Sequence, residues 1–144
     1  TGTLTYELER TGAFDIVALD TSEEMLSVAR KTLNPNTTLV CQNGVDFNGT
    51  AEVAVVCMVM HELPKSAHED MLQALMRVVH RGAIWVVDID TNYSPSTLML
   101  SGEPYVRQYL DGFEDTLHKT CAERTVESVA LIPDHVRAWV ITCE

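Results

Sequence analysis

The chain has 144 residues, with 10 Lys+Arg against 21 Asp+Glu for a formal net charge of −11, and 46% of its residues are hydrophobic. That length and apolar fraction predict a single domain over residues 1–144 with an ordinary core, and exclude a disordered chain. The strong negative charge repels phosphate backbones, which excludes nucleic acid as a partner held through charge.

The spacing of Leu4 and Leu8 predicts a short helix over 4–10, stopped by Thr11-Gly12. Residues 15–19, DIVAL, are a compact run rich in β-branched side chains and predict a buried strand leading to Asp20. Ser22, Glu23 and Glu24 supply a cap and an acidic first turn, and Met25, Leu26, Val28 and Ala29 continue a helix over 22–33. A strand follows over 37–42, and Asn43-Gly44 turns the chain. Residues 52–60 are apolar almost throughout, the pattern of a strand covered on both faces in a parallel sheet.

Met71, Leu72, Leu75, Met76 and Val79 predict a helix over 65–79, and 83–89 a further buried strand. Strand, helix and strand with short connections imply parallel strands joined by right-handed crossovers, so the fold class is α/β. A helix is predicted over 104–120. The β-rich runs 125–132 and 136–142 are separated only by Pro133-Asp134-His135, which forces an antiparallel hairpin.

The cysteines, Cys41, Cys57, Cys121 and Cys143, have no Cys-x-x-Cys spacing and are expected to be reduced core thiols. No run reaches the ~18 to 20 apolar residues of a membrane span. A soluble, intracellular protein is the expectation. The chain opens on Thr1-Gly2-Thr3 in what reads as a turn, so an upstream segment is expected, and organelle import stays open.

Asp20 ends a strand and precedes a capped helix. In an open parallel sheet an acid there accepts hydrogen bonds from ribose hydroxyls; otherwise it is a turn or cap residue. At this point the sequence resembles the class I S-adenosylmethionine-dependent methyltransferases. Thr1-Gly2-Thr3 resembles the tail of that family's glycine-rich loop, and DIVALDTSEEMLSVAR its second strand and helix. CQNGVDF stands at its adenine-recognising segment, with Asn43 in place of the usual Asp. VAVVCMVMHELP resembles the fourth strand and the loop beside the methyl group, RGAIWVVDID the entry to the fifth strand, and the final hairpin matches in topology.

The resemblance implies a three-layer Rossmann-like fold whose mostly parallel sheet ends in an antiparallel hairpin. It implies S-adenosylmethionine as cofactor, bound by Gly2, Asp20, Thr21, Met25, Asn43, Gly44 and Met58. Asn43 can still accept from the adenine amine through its side-chain carbonyl. His61 is the candidate general base, the other reading being a helix-entry residue bonded to backbone. The Asp/Asn-Pro-Pro-aromatic signature of nitrogen methylation is lacking, which favours an oxygen or carbon of a small-molecule acceptor. His61, Glu62 and His68 do not have zinc-protease spacing, since Lys65 stands where a His is needed, and no metal is expected. Residues 93–109, with Met99, Glu103, Tyr105 and Tyr109, are expected to form an acceptor pocket or a partner surface.

In the family's strand order the strand before the glycine-rich loop lies between the strands ending at Asp20 and at Met60. It is absent from this sequence, so that slot is expected to be filled by upstream residues or by a protein partner. This motivates an alternative, an inactive methyltransferase-like structural or assembly subunit. A third reading, a nicotinamide-dependent oxidoreductase, shares the Asp20 logic but lacks a Tyr-x-x-x-Lys pair.

Overall fold

The computed structural model describes residues 2–144. They divide into two units, one ending at Phe47 and one over Asn48–Glu144.

In the first unit, helix α1 (Thr3–Thr11) lies between two left-handed glycines, Gly2 and Gly12. The backbone N–H of Gly12 donates to Glu9 O at 3.0 Å. Strand β1 (Val17–Asp20), helix α2 (Glu23–Ala29) and strand β2 (Thr38–Cys41) follow, and the strands pair in parallel from Val17↔Thr38 to Asp20↔Cys41. Ser22 caps α2 by accepting from Met25 N. The predicted helix over 22–33 is shorter because its last turn tightens: Lys31 and Thr32 donate three residues back, to Val28 O and Ala29 O. The Glu9 carboxylate accepts from Asn34 N and from the Thr37 hydroxyl, tying α1 to the loop before β2.

The expectation of a buried strand at 15–19 needs correction. The strand begins at Val17 and leaves Val17 46% exposed. Among the described residues β1 bonds only to β2, so a run of apolar residues here is half of a two-stranded ribbon.

The second unit contains β3 (Val53–Cys57), α3 (Lys65–Val78), β4 (Gly82–Ile89), α4 (Thr97–Gly102), α5 (Val106–Thr120), β5 (Thr125–Ile132) and β6 (Val136–Cys143). Its sheet order is β3-β4-β6-β5, with β3 parallel to β4 and the other pairs antiparallel. The predicted strand over 52–60 stops at Cys57 because Met58 takes φ 56 and Met60–Glu62 wind into a 3-10 turn. It is also not covered on both faces: Val53 and Val55 are exposed, as an edge strand allows.

Ile84 and Val86 share a sheet face with Ile141 and Trp139, opposite which α5 presents Phe113. On α5, Val106, Tyr109, Phe113 and Leu117 recur at helical spacing and are fully buried, as are His68 and Leu72 on α3. Helix α4 was not anticipated; Ser96 caps it by accepting from Met99 N. Tyr109, expected in a pocket or on a surface, is core, its hydroxyl donating to Ile89 O at 2.7 Å. Tyr93 and Tyr105 are half-buried.

All four cysteines are free, with Cys121 and Cys143 buried, Cys57 intermediate and Cys41 exposed, so Cys41 is not the core thiol expected. Burial pushes the Cys121 thiol up to about 11. No helix among the described residues is long and apolar enough to cross a membrane.

Candidate functional site

The ends of the parallel strands position the candidate residues, and each unit contributes its own set. In an open α/β sheet, ligands bind beyond the carboxyl ends of the strands.

At the end of β1, Asp20 Oδ1 accepts from Ser22 N at 2.9 Å, which fixes the carboxylate in the β1–α2 turn. Oδ2 takes no hydrogen bond from the described residues. Gly2, Asp20 and Met25 line one shallow cleft of about 60 Å³ floored by Leu26, Ala29 and Leu33. Gly2 needs to be glycine there: its φ is +83, and a Cβ would stand 3.0 Å from Ala29 Cβ. Thr21 is exposed, its carbonyl accepting from the Cys41 thiol at 3.6 Å. Past β2, Asn43 caps the 3-10 turn Gly44–Asp46, its Oδ1 accepting from Val45 N at 3.1 Å. The carbonyl expected to face an adenine amine is thus already used once, with one lone pair left.

At the end of β3, Met58 is 42% exposed and holds φ 56 while its N–H donates to Val87 O at 2.8 Å. A non-glycine residue in that region is strained and clusters at functional sites. His61, in the 3-10 turn that follows, is buried, with Nδ1 2.6 Å from Asp88 Oδ1 at the end of β4. It is a side chain paired with a carboxylate rather than a helix-entry residue bonded to backbone. Burial alone would lower the His61 pKa, but the hydrogen bond and charge of Asp88, with smaller help from Glu62 and Glu103, raise it above its ordinary value. Glu62 itself is exposed.

His68 on α3 closes the same turn from the other side. Its Nε2 donates to Met60 O at 2.9 Å and Leu63 O at 3.1 Å, leaving Nδ1 buried without a hydrogen bond. Burial holds this imidazole below its ordinary pKa against the pull of the two carbonyls. Nearby, Asp90 is buried. Its Oδ2 accepts from Arg137 Nε at 3.2 Å and is ion-paired with Arg137 Nη2 at 3.1 Å, and Oδ1 accepts from Asn92 N. Burial favours its neutral form, yet these donors outweigh burial and hold the carboxyl below the usual range.

The two histidines oppose each other in pH dependence. His68, with its pKa depressed, contributes stability that is present above the ordinary His value of 6.5 and lost as pH falls. His61, with its pKa raised, contributes stability that is present below 6.5 and lost as pH rises through its folded value. His68→Gln keeps a donor for both carbonyls but does not titrate. The stability difference between wild type and this variant is therefore expected to shrink from pH 7.5 to pH 5 in urea titrations. A difference that grew on acidification would contradict a neutral, buried His68.

Sequence reasoning missed Asp88, Asp90 and Arg137. The available signal was two acids spaced i, i+2 at the end of an apolar strand, where an unpaired carboxylate is too costly to keep.

In sequence, residues 1–82 match the methyltransferase domain family. No curated protein matches the chain in sequence. In structure it is similar to the magnesium protoporphyrin IX methyltransferase of Synechocystis PCC 6803 solved with SAH, at TM-score 0.73 and 16% identity, covering 99% of this chain and 69% of that one. A Pyrococcus horikoshii OT3 protein aligns at TM-score 0.74 and 15% identity, covering 99% and 77%. The plantazolicin methyltransferase BpumL, solved with a desmethylPZN analogue and SAH, aligns at TM-score 0.70 and 16% identity, covering 98% and 72%. None of these points to an oxidoreductase, a structural subunit or a protein partner. With more than half its length matched, a mixed sheet ending in an antiparallel hairpin, and an acid closing β1, the chain belongs to the methyltransferase domain family, in the class I S-adenosylmethionine-dependent fold.

Proposed function

We propose that the protein transfers a methyl group from S-adenosylmethionine to an oxygen or carbon atom of a small-molecule acceptor. The carrying observation is Asp20: it ends β1, shares a cleft with Gly2 and Met25, and keeps one carboxylate oxygen without a hydrogen bond from the described residues. A carboxylate so held is suited to a ribose hydroxyl, and the cleft's glycine wall to close approach of a ligand. Similar proteins named for magnesium protoporphyrin IX and plantazolicin favour a small-molecule acceptor.

In this reading Asp20 binds the ribose, Thr21 and Met25 flank ribose and adenine, and Asn43 and Gly44 meet the adenine edge. Gly2 leaves room for the cofactor, and Met58 lines the methyl side. When bound, S-adenosylmethionine supplies a methyl group activated on a sulfonium sulfur. His61 accepts the acceptor's proton at Nε2, and the remaining requirement is in-line alignment, which positioning residues supply. The HELP sequence at 61–64 lacks the signature of nitrogen methylation, which supports oxygen or carbon as the atom methylated.

Calorimetry with S-adenosylmethionine on the protein at its natural length tests this. Asp20→Ala is expected to weaken binding about 10-fold or more, the loss of charge-assisted hydrogen bonds. His61→Asn is expected to leave that affinity intact and lower kcat. No binding to wild type at millimolar ligand overturns the proposal.

A further inference from the structure

We propose that Asp88 is the positioning residue of the site, holding both the His61 turn and one tautomer of the His61 imidazole. The proposal rests on the reading of His61 as the base and adds a residue that reading did not contain.

Asp88 is fully buried at the end of β4. Its Oδ2 faces three successive backbone donors, Met60 N at 2.8 Å, Val59 N at 3.2 Å and His61 N at 3.4 Å. Its Oδ1 accepts from Ile89 N at 2.7 Å and from the His61 ring at 2.6 Å. Four of the five hydrogen bonds that the carboxylate accepts are thus spent on one turn and one imidazole, and the fifth comes from its own neighbour, Ile89 N. A single structural bond would not require this; a turn whose orientation matters would.

The chemistry follows from the acceptor set. A carboxylate beside Nδ1 accepts a hydrogen there, so the neutral ring carries its proton on Nδ1 and its lone pair on Nε2. Nε2 takes no hydrogen bond from the described residues, which leaves it available for a proton from the acceptor. His68 completes the clamp by binding the carbonyls of Met60 and Leu63, so the donors of the turn are held from β4 and its acceptors from α3. The charged groups acting on His61 are Asp88 from β4, Glu62 on its own turn and Glu103 before α5, all acidic, with the Tyr109 ring edge-on at 6.3 Å.

The test has two readouts. Ring-nitrogen NMR of wild type should find neutral His61 protonated at Nδ1, a measurement that needs no substrate and no variant. In Asp88→Asn the His61 titration and the acid limb of kcat/KM should both move to lower pH, by about one unit or more. The kcat should fall about 100-fold or more, with S-adenosylmethionine affinity unchanged. Wild-type His61 protonated at Nε2 overturns the proposal whether or not the variant folds, as does a titration unmoved in a folded variant. If instead the tautomer and its shift are as expected while His61→Asn keeps full activity, Asp88 positions His61 but the reading of His61 as base fails.

Discussion

Gly82→Ala is expected to destabilise the protein by about 4 kcal/mol, the sum of a strained backbone and an overpacked contact. Gly82 opens β4 at φ +129, where L side chains are strained, and a Cβ built there would lie 1.9 Å from the carbonyl oxygen of Glu52. That oxygen is not free to move. It accepts the Ala83 N–H at 3.0 Å, the bond that starts the parallel β3–β4 ladder. Relief of the clash therefore breaks the first rung of the ladder, and β4 carries Asp88 near its far end, with Asp90 just past it. Gly102→Ala is the control: it closes α4, nothing lies within 4 Å of its added Cβ, and alanine there should be neutral or stabilising by a few tenths of a kcal/mol. Urea titrations of the two variants check the contrast. A Gly82→Ala loss below about 1 kcal/mol would show that the ladder can open at no cost.

The parts of the fold legible in the sequence were those whose burial repeats locally. Helices α3 and α5 carry their apolar residues at helical spacing over 14 and 15 residues, and the hairpin follows from a three-residue gap that admits no crossover. The burial of β1 and β3 was misread for one reason. A run of β-branched residues reports what could be buried but not how many strands bond on either side. Both strands are edges among the described residues. Helix α4, six residues long, gives too little period to see.

For the site, Asp20 was legible because strand, acid and cap are adjacent in sequence. His61 was legible as a residue but not in its chemistry, since the carboxylate that orients it lies 27 positions away and joins it only through the parallel pairing of β3 and β4. Tyr109 was misassigned because an amphipathic ring reads the same whether its hydroxyl meets solvent or, as here, the Ile89 carbonyl.

Phe113→Ala is expected to cost about 4 kcal/mol, at the level of large aromatic truncations in a closed core. The ring is fully buried, stacks on Tyr109 at 4.9 Å, and meets Trp139 and His68 edge-on at 5.2 and 5.7 Å. These neighbours come from α5, β6 and α3, so no single element can shift to fill the void. Each is also tethered by a polar end: Tyr109 to Ile89 O, Trp139 Nε1 to Glu114, His68 to the Met60 and Leu63 carbonyls. Collapse would break those bonds, so the cavity persists and its full cost appears. Phe113→Leu, which keeps most of the volume, should lose about 1.5 kcal/mol or less. Urea midpoints with an unchanged m value would measure both. Because two of the tethers end on the His61 turn or beside Asp88, amide exchange in Phe113→Ala should rise at Met60–Leu63 beyond the loss in global stability. Equal losses everywhere would mean that the aromatic cluster supports the core without holding the turn.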